Sequence, residues 1–252
     1  MLMEQIHADE TLDELLIDGL QIIQKAGGFR FTLDSVLLAH FISLKENDKL
    51  VDLGTGTGII PLILTSRVKN IKITGIEIQP EIAEMARRSV ALNHLSDQID
   101  IMEEDLRGIH KTLGGGIFHA VTANPPYGAL GDGLLNPEPA KAQARHEISC
   151  SLEEVVLAAS KLLNYQGRFA LVHRTERLAE LFELLRRYQL EPRRLRFIHS
   201  YLDKPARHLL LEARKNAPSD LQILPPLVIY DSPGQYTKEI LSWYGKGMKA
   251  DG

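Results

Sequence analysis

The chain has 252 residues, of which 44% are hydrophobic and 25% charged, and its net charge is −4. This is ordinary globular composition and excludes a largely disordered chain; no apolar run approaches the ~20 residues of a bilayer span, and the acidic N-terminus MLMEQIHADETLDELL lacks the basic and apolar regions of a signal peptide. A single cysteine, Cys150, excludes an internal disulfide and a cysteine-rich zinc site, so a soluble cytoplasmic protein is expected.

In chain order, LLIDGLQIIQ reads as two short strands turning at Asp18-Gly19. SVLLAHFISL is an amphipathic helix with Thr32 or Asp34 near its start. Strands and helices then alternate: KLVDLG, GIIPLILTSRV, NIKITGIEI, and QPEIAEMARRSVALN with Pro80 in its first turn. QIDIMEED and IFHAVTAN follow as strands. SLEEVVLAASKLLN is a helix with Ser151 and Glu154 placed as a capping box. GRFALVH is a strand and TERLAELFELLRRYQ a helix. LEPRRLRFIHS and ARHLLLEARK close the core as a strand pair, antiparallel because the connection is short.

This alternation predicts an α/β fold: a doubly wound, mostly parallel sheet with an antiparallel C-terminal strand pair and an N-terminal hairpin and helix. The expected divisions are 1–45, packed on the core, 46–215, and a tail, 216–252, in which Trp243 and Tyr244 either cap the core or meet a partner. Ligands in such sheets bind beyond the carboxyl ends of the strands. DLGTGTG, EIQP and ANPPYG all stand there.

DLGTGTG joins a strand to a helix through Gly54, Gly56 and Gly58. It departs from G-x-G-x-x-G, because the third glycine comes one residue early, and it lacks the Gly-Lys-Ser/Thr of a P-loop. Asp52 would repel a pyrophosphate and suits a cationic or hydroxyl-bearing ligand. Glu77 ends the next strand, where an acid accepts hydrogen bonds from ribose hydroxyls in dinucleotide folds. Asp105 follows the third strand, in a place that also suits a helix N-cap.

Together, DLGTGTG, the terminal Glu77, the Asp105-Leu106 pair and NPPY resemble the class I S-adenosylmethionine-dependent methyltransferases, a Rossmann-like fold. NPPY resembles the branch that methylates planar amino nitrogens: adenine N6, guanine N2 in RNA, or a glutamine amide in release factors. GGFRFTLDSVLLA, ARHE and RHLLLEARK are similar to bacterial tRNA adenine-N6 methyltransferases acting beside the anticodon of a valine tRNA. The resemblance covers roughly residues 28–215 and makes 46–215 the methyltransferase domain. It implies that Asp52, Gly54, Thr55, Gly56 and Gly58 hold the methionine part of S-adenosylmethionine and that Glu77 binds the ribose. It sets Asp105 against the adenine amino group with the Leu106 backbone beside the ring, and Phe31, Thr32 and Asp34 near the cofactor.

ANPPYG explains itself through donors and acceptors. Asn124 and Pro125 both precede proline and are pushed to extended geometry, while Pro125 and Pro126 supply no N–H. The corner is rich in acceptors, and an exocyclic amino group offers two donors. Asn124 Oδ1 and the Pro125 carbonyl would take one each, turning a delocalised nitrogen lone pair toward the methyl group. Tyr127 would stack on the planar target. The target adenine must be flipped or unpaired, which suits a tRNA loop.

From Arg168 to Lys215 there are twelve Lys and Arg against six Asp and Glu, a local +6 that leaves −10 elsewhere. This segment, 168–215, is the candidate RNA contact, with Arg186, Arg187, Arg193, Arg194, Arg196 and Arg207 as candidate phosphate ligands. Residues 128–143 are expected to form a lid or substrate loop, with Arg145, His146 and Glu147 ordering it, contacting substrate or lying at the surface. The nine histidines are scattered, so no metal is expected, and the absence of G-x-S-x-G argues against a serine hydrolase. The alternatives are glutamine methylation of a release factor, guanine-N2 methylation of rRNA, and a cofactor- and RNA-binding module without catalysis. Release-factor enzymes usually carry an N-terminal helical bundle, and only about 45 residues precede the first core strand here.

Overall fold

The computed structural model describes residues 6–27, 32–125 and 150–244. A hairpin of β1 (Glu10–Glu14) and β2 (Gln21–Lys25) leads to α1 (Leu33–Phe41). The alternating core follows: β3 (Lys49–Leu53), α2 (Ile59–Arg67), β4 (Lys72–Glu77), α3 (Pro80–Leu92), β5 (Ile99–Glu103), a short α4 (His110–Leu113) and β6 (Phe118–Ala123). After the undescribed stretch come α5 (Leu152–Leu162), β7 (Leu163–Arg174), a 3-10 turn at Thr175–Arg177, α6 (Leu178–Arg187), β8 (Leu190–His199) and β9 (His208–Lys215). The chain closes with β10 (Gln222–Ile223), β11 (Leu227–Val228), the hairpin strands β12 (Tyr230–Ser232) and β13 (Gln235–Tyr236), and α7 (Lys238–Trp243).

One sheet runs β10-β8-β9-β7-β6-β3-β4-β5, with β11 also on β8. β7, β6, β3, β4 and β5 are mutually parallel, and β9 is antiparallel to both β7 and β8. This is the expected mostly parallel α/β sheet with its antiparallel pair. Strand order reverses between β3 and β6, which opens a crevice at their carboxyl ends.

Apolar side chains on both faces explain the near-continuous hydrophobic runs of these strands. On one face α1, α2 and α3 bury Leu37, Leu38, Leu62, Ile63 and Ala86. On the other, α5 and α6 bury Val155, Val156, Leu181 and Leu185. The capping box of α5 is present: Glu154 N donates to Ser151 Oγ (3.2 Å) and Ser151 N to Glu154 Oε2 (2.7 Å).

The N-terminal hairpin differs from its expected position. Asp18-Gly19 does turn the chain, both with positive φ (49° and 70°), as a type I′ turn requires. The first strand lies upstream, in ETLDE, and Leu15–Leu20 form the loop. What holds this polar strand is distant in sequence. Glu10 receives two 2.7 Å hydrogen bonds from Arg88 of α3. Ile23 N donates to Ser89 Oγ and Gln21 N to Asn93 Oδ1, so helix side chains satisfy the open edge of β2. At the other end of the chain, α7 buries Ile240 and stacks Trp243 on His40 of α1, with centroids 4.8 Å apart. Both Trp243 and Tyr244 pack against the core here.

Strand register sets the height of each element at the carboxyl edge. Leu53 faces Ile76 on one side and Ala123 on the other. Gly54, Glu77 and Asn124 therefore emerge at one level, on strands ~4.8 Å apart. Ala123 is in turn level with Leu171, Leu211 and Leu195. β7 continues to Arg174 and β8 to His199, so these strands, with β9 antiparallel between them, rise ~10–13 Å above the Asn124 corner as a wall.

Candidate active site

The glycine turn sits at this edge and is shaped by its backbone. Gly54, Gly56 and Gly58 have φ of 68°, 58° and 86°, conformations that L side chains rarely adopt. Glu77 clamps the turn from the next strand. Its Oε2 accepts from Gly56 N (3.0 Å) and its Oε1 from Gln79 N (2.9 Å).

Beneath the turn lies Asp52, wholly buried. Its Oδ1 accepts from Thr122 Oγ1 at 2.7 Å, while Oδ2 has no hydrogen-bond partner. Burial pushes this carboxyl up to about 7; the Thr122 and Thr55 hydroxyls pull the other way, and the Glu77 charge adds to the rise. Thr55 Oγ1 is also buried and makes no hydrogen bond of good geometry. Gly75 gives Thr55 its room: a Cβ there would stand 2.9 Å from Thr55 Cγ2 and 2.8 Å from Ile101 Cδ1. Two orphaned acceptors in so dry a place are an unusual cost.

Across the crevice, Asn124 follows the last residue of β6 and Pro125 beside it is buried. Asn124 Nδ2 donates to Ser35 Oγ of α1 at 2.9 Å. That bond turns the amide so that Oδ1 is its acceptor end, on the side away from Ser35. Ser35 is a residue the sequence reasoning missed. It is 89 positions from Asn124, and the only signal was its place inside FTLDS.

The remaining expected residues are distributed as follows. Thr32 is the N-cap position of α1, without a side-chain cap bond. Asp34 lines a cleft of about 200 Å³ with Ile198, Ser200, Arg207, His208 and Tyr230. Asp105 does not cap a helix. Its Oδ1 accepts from Arg107 N (2.8 Å) and its Oδ2 from Arg107 Nε (2.7 Å). Partial burial pushes that carboxyl up, but the Arg107 bonds prevail and hold it below its ordinary value. Leu106 is buried beside it. Phe31, Pro126, Tyr127, the 128–143 segment and Arg145, His146 and Glu147 lie outside the described residues.

Two other features lie away from this edge. A cleft of about 240 Å³ around Asp48, His119, Arg168 and Arg214 opens at the opposite end of the strands. Among the described residues, His7, Asp9 and Glu10 come close enough to hold a metal ion. Asp9 is already paired with Lys25 and Glu10 with Arg88.

The fold and this edge define a class. The methyltransferase small-domain model matches residues 30–189, and the chain belongs to that family. It is an S-adenosylmethionine-dependent N-methyltransferase. The donor set fits that cofactor: a three-glycine turn, a carboxylate at the end of β4 in Glu77, and the Asp52 and Thr55 oxygens without hydrogen-bond partners. Among individual relatives, the chain is 34% identical to the tRNA1(Val) (adenine(37)-N6)-methyltransferase of Porphyromonas gingivalis over 75% of each chain. It is 25% identical to the enzyme of the same name from Photobacterium profundum, over 85% of this chain and 89% of that one. A predicted O-methyltransferase of Agrobacterium tumefaciens superposes with a TM-score of 0.68 at 23% identity, covering 84% of this chain and 95% of its own. The [4+2]-cyclase SpnF superposes at 0.56 with 16% identity, over 73% and 81%. These two likenesses establish the fold alone, since one fold carries several chemistries.

Proposed function

We propose that the protein methylates N6 of an unpaired adenine in RNA, the adenine at position 37 beside the anticodon of a valine tRNA. The observation that carries this reading is the Asn124 corner. An amide oriented by Ser35 stands level with, and one strand from, the glycine turn. The names of the relatives supply the substrate.

In this reading residues 46–215 form the methyltransferase domain, framed by 1–45 and 216–252, and the protein works in the cytoplasm. Asp52, Gly54, Thr55, Gly56 and Gly58 hold the methionine part of S-adenosylmethionine, and Glu77 holds its ribose. Asp105 and Leu106 flank its adenine, with Phe31, Thr32 and Asp34 along the border. The cofactor supplies an electrophilic methyl group on a sulfonium. Asn124 Oδ1 and the Pro125 carbonyl accept the two N–H bonds of the target amino group, which aims its lone pair and stabilises the positive charge that develops there. Tyr127 stacks on the base. No general base is needed before transfer, because the amino group releases one proton afterwards. Positioning alone supplies up to ~7–11 kcal/mol of the barrier for well-aligned reactants.

The test is incubation with methyl-labelled cofactor and, separately, total tRNA, ribosomes and release factors, followed by digestion. Label in N6-methyladenosine from tRNA is expected, and Asn124→Ala should abolish it while keeping cofactor binding. Label confined to protein, or to guanine of rRNA, would overturn the reading. Cofactor binding without turnover on any substrate would leave a binding module.

A further inference from the structure

The basic segment does not act as a block, because most of its arginines are engaged in holding the fold. Arg187 pairs with Glu153 and Glu183, Arg193 with Asp220, Arg194 with Glu212, and Arg196 with Glu239 through two oxygens. Arg186, 3.5 Å from Glu191, lies with Arg187 and Arg193 toward the far end of the strands. Arg207 differs in both respects. It stands at the top of the wall beside the start of β9, exposed, and no partner for its side chain occurs among the described residues.

Arg207 closes the loop between β8 and β9, residues 200–207. This loop is braced rather than slack. Thr175 N donates to Arg207 O (3.0 Å), Thr175 Oγ1 to Ala206 O (3.1 Å), Lys204 N to Tyr201 O (3.0 Å), and Tyr230 N to Ser200 O (3.0 Å). Tyr201 leans on Tyr230 with ring centroids 5.6 Å apart, and Tyr230 stacks on Tyr236 at 5.0 Å. An aromatic ring held from behind gives a rigid surface for a planar base. Next to it Leu202 is 73% exposed and Lys204 is exposed. The cleft holding Ser200, Arg207, His208 and Tyr230 lies behind this lip, and its other wall is the start of α1, whose Ser35 meets Asn124.

Resting on the RNA reading above, we propose that this lip is the site where the enzyme grips the RNA next to the target: Arg207 pairs with a backbone phosphate and Tyr201 stacks an unpaired loop base flanking the adenine. Interleaved cations and aromatic rings are the chemistry that binds single-stranded nucleic acid. Height adds to the argument. A loop lifted ~10–13 Å above the corner meets the neighbouring nucleotides while the target base descends to Asn124.

Steady-state methylation and fluorescence anisotropy, both with the anticodon stem-loop of the valine tRNA, test this. Arg207→Gln should raise KM and Kd for RNA and lower the slope of log K against log salt by about 0.7–0.9, one phosphate contact. Tyr201→Ala should weaken binding ~5- to 100-fold, while Tyr201→Phe retains it. Lys49→Gln, exposed at the start of β3 on the opposite end of the strands, should change neither quantity, and calorimetry should give unaltered S-adenosylmethionine affinity in every variant. If the wild type methylates the stem-loop and the Arg207 and Tyr201 variants match it, the lip proposal is wrong and the function stands. If the wild type methylates no RNA, both fall.

Discussion

Asp52→Asn should make the protein more stable and a poorer enzyme. In the folded chain the Asp52 carboxyl is pushed from 3.8 up to about 7, mainly by burial. Between those values the native state keeps a proton that the unfolded chain has released, so stability falls as pH rises through that window and levels off above it. At ~1.36 kcal/mol per unit, the buried charge costs about 4 kcal/mol above pH 7, and some 2–3 kcal/mol of that is lost between pH 5 and pH 8. Asparagine has no charge to bury, keeps an acceptor for Thr122 Oγ1, and sets an NH2 where Oδ2 now lacks a partner. Urea unfolding at pH 5 and pH 8 should show the wild type losing this increment and the variant not. At pH 8 the variant should be ahead by roughly 2–4 kcal/mol, with Tm higher by about 2–4 °C per kcal/mol. Calorimetry should then find cofactor binding weakened by about tenfold or more, the scale of a lost charged hydrogen bond. Parallel loss of stability in both proteins between pH 5 and pH 8 would refute the argument that Asp52 is the charge being buried.

Ser35→Ala should lower kcat for methylation by several-fold or more with little change in cofactor Kd, because it releases the orientation of the Asn124 amide without touching the glycine turn. An unaltered kcat would remove Ser35 from the positioning apparatus. Gly75→Ala should cost ~1–3 kcal/mol in unfolding free energy and weaken cofactor binding, since the new methyl group must displace Thr55 or Ile101. Glu10 is held down at about 2, from 4.5, chiefly by its hydrogen bonds to Arg88. Its contribution is therefore fully present above pH 4.5 and lost as pH falls toward 2. Amide exchange in β2 should accelerate over that range, and in Arg88→Ala it should already be fast at pH 7.

The parts legible in the sequence were those set by local pattern. Parallel strands covered on both faces read as apolar runs, and the motifs following KLVDL, KITGIE and FHAVTA are found by position alone. What escaped was set by contacts distant in sequence. ETLDE carries no apolar alternation, and its strand exists because Arg88 and the side chains of Ser89 and Asn93 meet the hairpin from α3. β7 begins at Leu163, directly on the end of α5, well before GRFALVH, and its irregular start shifts the pairing with β6 between Phe118 and Ala120. Asp105 looks like a helix cap by spacing, but Arg107, two residues on, takes both its oxygens. Counting charges over 168–215 could not separate arginines tied into ion pairs that brace the fold, such as Arg194 and Arg196, from Arg207, which is exposed and has no partner among the described residues.

Unsatisfied buried groups occur both at the crevice and elsewhere in the fold. Away from the crevice, Arg168 lies on Asp48 at 2.7 Å and Ser160 Oγ donates to Tyr188 O at 2.7 Å, while Thr11 Oγ1, His40 Nε2, Glu212 Oε1 and Arg214 Nε are buried without a hydrogen-bond partner among the described residues. Along the crevice between β3 and β6, Asp52 Oδ2 and Thr55 Oγ1 remain unpaired, and Gly75 has no side chain, which leaves room for one of them. Leaving a buried acceptor unmet costs about 1–3 kcal/mol. In the proposed function the bound cofactor offsets that cost at the edge where the glycine turn and the Asn124 amide stand level. On the lip proposal, the RNA approaches from the side where β7, β9 and β8 rise above that edge.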